Sequence, residues 1–75
     1  MASLPRISGE QAIRALKRLG FVAVRQRGSH VVLRKETEAG AVGCSVPLHR
    51  ELAVGTLRGI LKLAQVSAEE FVDKL

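Results

Sequence analysis

The sequence predicts an α+β domain: one helix, a three-stranded antiparallel sheet, a second helix and a short third one, with the helices on one face of the sheet. Three observations predict this. Apolar residues recur at helical spacing in two stretches, Ala12 to Leu19 and Leu57 to Ala64. Between them, β-favouring segments are separated by turn signals at Gly28-Ser29 and around Gly40. No helix interrupts the strands, so hairpins join them and consecutive strands run antiparallel.

Taken in order, Ser8 opens the first helix, and Gln11, three residues on, completes a capping box in which each side chain satisfies the other's orphan amide. Ala12, Ile13, Leu16 and Leu19 make its apolar face, while Arg14, Lys17 and Arg18 point elsewhere. Gly20 ends it as a left-handed cap, which lets Phe21 fold back on the last turn. The seven residues before Ser8, with Pro5 among them, form an extended lead-in.

Phe21 to Arg27 and His30 to Lys35 are the first two strands, joined by Gly28-Ser29 as a type II′ hairpin loop with glycine at positive φ. That turn sets the register. Arg27 then faces His30, Arg25 faces Val32 and Ala23 faces Arg34 on one side of the ribbon. On the other side Val24 faces Leu33 and Gln26 faces Val31, with Val22 near the strand's start. One face is thus apolar, and the other carries three arginines and a histidine.

Glu36 to Ala41 reads as a polar turn around Gly40. Val42, Cys44 and Val46 then alternate with Gly43 and Ser45 as a third strand, which Pro47 closes. Cys44 falls on the buried side as a small core residue. Leu48 to Glu51 is a connector. Leu57, Ile60, Leu61 and Ala64 face inward on the second helix, with Arg58 and Lys62 outside. Gly59 within that helix costs about 1 kcal/mol relative to alanine, for which close packing is a candidate reason. Ser67 and Glu70 form a second capping box and Val66 can staple to Phe71, so a last helix runs from about Ala68 to the end.

A chain of 75 residues spans one domain, 1–75, and buries only roughly 60 to 65 per cent of its unfolded surface. Its site is therefore expected to be an open surface feature. Twelve Lys and Arg against seven Asp and Glu leave +5, which favours nucleic acid, an anionic membrane or an acidic protein as partner. Two Phe and no Trp or Tyr argue against an aromatic base-stacking platform and favour contact through phosphates and shape. Cys44 is the single cysteine, so no intramolecular disulfide or Cys-rich metal site forms. Two histidines without clustered carboxylates argue against a two-metal nuclease. Gly-rich nucleotide loops, paired glycosidase carboxylates and a Ser-His-Asp arrangement are not recognisable, and no small-molecule cofactor is expected. No apolar run reaches the ~20 residues that span a bilayer, and no segment has a signal-peptide pattern. The expectation is a cytoplasmic protein without a membrane partner.

The open face carries the candidate chemistry. Arginines bind phosphate and stabilise charge added to it, and a histidine beside them can move a proton near neutral pH. In RNA the 2′-hydroxyl can attack the neighbouring phosphodiester with no metal. The candidate residues are His30 for proton transfer and Arg25, Arg27 and Arg34 for phosphate, with Gly28 and Ser29 shaping the approach. Residue types alone also allow a surface histidine, a solvated arginine face and an ordinary turn. His49 could give the proton to the leaving 5′-oxygen, or it could be a polar loop residue capping the next helix. An endoribonuclease, a non-catalytic RNA-binding module and a domain that meets an acidic protein all remain open at this point.

Several segments together resemble the HicA toxin family, mRNA interferases of type II toxin–antitoxin pairs. They are LPRISG from Leu4 to Gly9, the helix ending Gly20-Phe21, RQRGSH from Arg25 to His30, Pro47-x-His49, GTLRGIL from Gly55 to Leu61, and EEF from Glu69 to Phe71. The resemblance implies a fold similar to double-stranded RNA-binding domains, in α-β-β-β-α order with a short C-terminal helix. It implies a metal-independent endoribonuclease acting on mRNA, with His30 as the catalytic histidine. It also implies a HicB-type antitoxin that covers the site and often represses the shared operon. Leu48 and Arg50 around His49, and an apolar run into Gly55, set this chain apart from the family pattern.

Overall fold

A computed structural model describes residues 3–75; Met1 and Ala2, the start of the expected lead-in, lie outside the described residues. The chain forms α1 (Gly9–Arg18), β1 (Val22–Arg27), β2 (His30–Thr37), β3 (Gly40–Pro47), α2 (Val54–Ala64) and α3 (Ala68–Asp73). The strands lie in the order β1-β2-β3, both pairs antiparallel. This is the expected α+β arrangement, matching the order of a double-stranded RNA-binding domain with an added short helix.

The local signals act as the residues dictate. At the start of α1 the Ser8 hydroxyl accepts the Gln11 amide at 3.1 Å, and the Gln11 carboxamide oxygen accepts the Ser8 amide at 2.9 Å. At its end Gly20 adopts φ +101°, the Gly20 amide donates to the Lys17 carbonyl and the Phe21 amide to the Leu16 carbonyl. This Schellman arrangement turns the Phe21 ring into the core. Ser67 and Glu70 repeat the capping box at α3, where hydrogen bonds first from the Ser67 amide and then its hydroxyl pull the Glu70 carboxyl below its ordinary pKa.

One core joins the two layers. Ala12, Ile13, Ala15 and Leu16 of α1 meet Val31 and Leu33 of β2, Cys44 and Val46 of β3, Leu57, Ile60, Leu61 and Ala64 of α2, and Phe71 of α3. Leu52 is also fully buried, and its amide donates to the Ile7 carbonyl at 2.7 Å. The apolar run before α2 is therefore an anchor for the connector, and α2 follows Ala53, which supplies no side-chain cap.

Three details differ from the sequence reading. β2 runs on to Thr37 and β3 begins at Gly40, so the polar turn shrinks to Glu38-Ala39, with Gly40 at φ +120°. Gly59 is not a close-packing glycine, because a methyl group there would meet open space. The largest difference is in β1. Its ladder follows the expected register through Arg27↔His30, Gln26↔Val31 and Arg25↔Val32, then slips at a bulge to Ala23↔Leu33 and Val22↔Arg34. Val24 therefore does not pair with Leu33, nor Ala23 with Arg34. The physical reason is that both larger helices pack against β3 and leave β1 as an uncovered edge strand. All six β1 residues are exposed, with Val22 at 62 % and Val24 at 53 %, so no core position held Val24 in register.

Candidate active site

The open face is built outward from the Gly28-Ser29 turn. Gly28 has φ +58° and Ser29 does not share the positive sign, the pattern of a type II′ loop. Such a loop fixes Arg27 and His30 as directly opposed partners, so their side chains leave the sheet on one side with β-carbons about 5 Å apart. Arg25, two residues before Arg27 and opposite Val32, shares that side. Arg34, four residues after His30 on β2, also shares it, roughly 13 Å along the strand. Arg25, Arg27, Gly28, Ser29, His30 and Arg34 are all exposed. The bulge lies beyond Arg25, so it leaves this group together.

The cations are not equivalent. None of the side-chain hydrogen bonds or ion pairs among the described residues involves His30, Arg25 or Arg27. Arg34 instead donates its Nε to the Glu36 carboxylate at 3.0 Å. That pair is open to solvent and contributes at most about 1 kcal/mol. Positive potential is therefore concentrated at the turn end of the face and offset at the Arg34 end.

The turn itself is held from two directions. The Gln26 carboxamide nitrogen donates to the Gly28 carbonyl at 2.9 Å, and the Leu48 amide donates to the Ser29 carbonyl at 2.7 Å. The loop carrying Leu48 is braced in turn by α1, whose first residue, Gly9, donates its amide to the His49 carbonyl at 2.9 Å. Gly9 is buried against the Pro47 carbonyl and the Leu48 backbone. The start of a helix thus supports the connector, which supports the hairpin turn. Gly9, Gln26 and Leu48 were not singled out by residue type, because two of the three act through backbone groups that any side chain supplies.

His49 follows two residues after Pro47, the β3 partner of His30. Its carbonyl caps α1, the preceding helix in the chain, rather than the following one. Its side chain lines a recess with Ser8, Glu10, Leu48 and Arg50 that does not include His30. Burial pushes the Cys44 thiol up to about 11, so the one cysteine stays protonated in the core. No three His, Cys, Asp or Glu side chains among the described residues gather as a metal site. No helix is long and apolar enough to cross a membrane.

The arrangement brings a histidine and two unpaired guanidinium groups onto one exposed, rigidly held turn and strand, where a phosphodiester can reach them without entering a cleft. A family model described as HicA toxin of bacterial toxin–antitoxin matches residues 9–66. No curated protein matches the chain.

Proposed function

The chain belongs to the HicA toxin family, toxins of bacterial toxin–antitoxin systems, and from that premise we propose that its 75 residues work as one endoribonuclease domain that cleaves mRNA in the cytoplasm and is neutralised by a HicB-type antitoxin. The observation that carries the proposal is the pairing of His30 with Arg27 across the turn, with Arg25 on the same exposed face.

The chemistry follows from those groups. Arg25 and Arg27 bind the phosphates flanking the cleaved bond, and Arg34 extends the track once Glu36 releases it. His30 takes the proton from the 2′-hydroxyl as its oxygen attacks phosphorus. One further negative charge then develops on the phosphoryl oxygens as the new P–O bond forms, and the guanidinium groups stabilise it most at that point. The bond to the 5′-oxygen breaks, leaving a 2′,3′-cyclic phosphate and a 5′-hydroxyl. The leaving oxygen takes its proton from the His30 imidazolium or from water. The Ser29 hydroxyl and the Gly28 backbone border the phosphate. His49 is assigned bracing of the loop through its carbonyl, rather than the acid step, because its side chain lines a different recess.

An acidic surface on the antitoxin laid over the open face would exclude RNA and match its charge. The direct test uses purified protein and a single-stranded RNA in a metal chelator. The expected outcome is cleavage to cyclic-phosphate ends, its loss in His30→Ala with an unchanged melting temperature, and its loss when the attacking ribose is 2′-deoxy. Cleavage by His30→Ala at the wild-type rate refutes the catalytic assignment, and RNA binding without products supports the binding-module reading instead.

A further inference from the structure

Resting on the RNA-cleaving reading, we propose that the shallow groove beside the candidate active site is a subsite for the base and ribose of one unpaired nucleotide next to the cleaved bond. The groove has a volume of about 490 Å³ and lies along the open face. Val24, Arg25, Val32 and Arg34 wall it on one side, and Gly43 and Ala41 of β3 lie on the other. It begins at Val32, two residues along β2 from His30, or roughly 7 Å, which is the scale of one nucleotide step.

The β1 bulge is what makes the groove apolar. Without it, alternation would turn Val24 toward the helical side of the sheet. With the slip between Ala23 and Arg25, Val24 lines the groove together with Arg25 and Val32, and stays about half exposed. Gly43 completes the shape, because the position opposite Arg34 carries no side chain that would fill the trough.

Three features of the surroundings select the occupant. The cations Arg25 and Arg34 flank the apolar walls, so the ligand combines a flat, weakly polar body with negative charge on its connections. The groove begins two residues along β2 from His30, so a chain bound there is led toward the turn. Its walls are aliphatic and backbone, with the Arg25 and Arg34 guanidinium groups as the planar surfaces for a base to stack on. A base paired in an A-form duplex has its faces stacked and cannot enter, so the subsite selects single-stranded or loop RNA despite the likeness of the fold to duplex binders.

The test uses wild-type protein and a set of short single-stranded RNAs in which one nucleotide at a time is an abasic ribose. At one position adjoining the cleaved bond, loss of the base is expected to lower kcat/KM about tenfold, the order of a single base contact. Annealing a complementary strand across that position should suppress cleavage there. In the Val24→Thr/Val32→Thr double variant, which keeps shape and charge, the ratio between base-bearing and abasic RNA should collapse toward one. Gly43→Val should do the same by filling the trough. Because its β-carbon would stand 3.2 Å from the Leu33 carbonyl, that variant counts only if its circular dichroism matches wild type, and the threonine pair carries the test otherwise. Wild-type protein that cleaves every abasic RNA as fast as the parent, or a threonine pair that keeps the full ratio, overturns the subsite alone. Wild-type protein that cleaves none of the RNAs overturns both the subsite and the nuclease reading beneath it.

Discussion

Gly9→Ala should destabilise the protein, although it places a better helix former in a helix. A β-carbon at Gly9 would collide with the Pro47 carbonyl oxygen and stand 3.0 Å from its carbon and 3.1 Å from the Leu48 α-carbon. Every one of these is backbone, so no rotamer change relieves the overlap. Forcing extra volume into such a packed site costs about 1 to 3 kcal/mol. Separating α1 from the loop also weakens the Gly9–His49 hydrogen bond, a further ~1 kcal/mol. The gain in helix propensity returns at most about 1 kcal/mol. The net loss is therefore about 1 to 3 kcal/mol, a fall of roughly 4 to 24 °C in Tm for a domain of this size. The matched control is Gly59→Ala, where the added methyl meets open space mid-helix and should raise stability by up to about 1 kcal/mol. Thermal and urea unfolding of both variants decide the matter. A Gly9→Ala protein as stable as Gly59→Ala would show that α1 does not brace the loop beneath the Gly28-Ser29 turn. If the brace acts as described, Gly9→Ala should also slow RNA cleavage under conditions where it is still folded.

Other outcomes follow from single residues. Arg25→Ala and Arg27→Ala should each weaken RNA binding at low salt and reduce the slope of log K against log salt by about 1, whereas Arg34→Ala, already paired with Glu36, should change the slope less. Gln65→Gly should stabilise by about 1 kcal/mol in urea unfolding, because Gln65 closes α2 at φ 58°, ψ 41°, a conformation that costs a residue with a β-carbon. Cys44 keeps its proton to about pH 11 when folded, against an ordinary value of 9.0. Its contribution is thus complete below about pH 9 and lost as pH rises through 11, since only the unfolded thiol ionises in that window. Comparing wild type with Cys44→Ala from pH 8 to 11 should show a steeper fall for wild type, and equal slopes would refute the assignment.

Much of this molecule is decided by interactions between residues close in the chain, and those were legible. Ser8 with Gln11 and Ser67 with Glu70 satisfy each other within one turn of helix. Gly20 ends α1 whatever the rest of the chain does. The Gly28-Ser29 loop dictates that Arg27 opposes His30, and period-two alternation carries Arg25 and Arg34 to the same face. The resemblance in RQRGSH and its neighbouring motifs points to the family, and the family match over residues 9–66 agrees on that family.

Tertiary packing decided the remainder. Nothing within Val22 to Val24 says that α1 and α2 settle over β3 and leave β1 bare, yet that placement removes the reason for Val24 to face inward and permits the bulge. Gly9 is indistinguishable in sequence from a glycine near a cap, and only the approach of the Pro47–His49 loop, some forty residues away, excludes a side chain there. The same loop brings the His49 carbonyl to the start of α1. Short-range hydrogen bonds and alternation are set by neighbours in sequence, so they can be read from it. Which strand the helices cover depends on the shape of the whole core, and that is known only once the chain has folded.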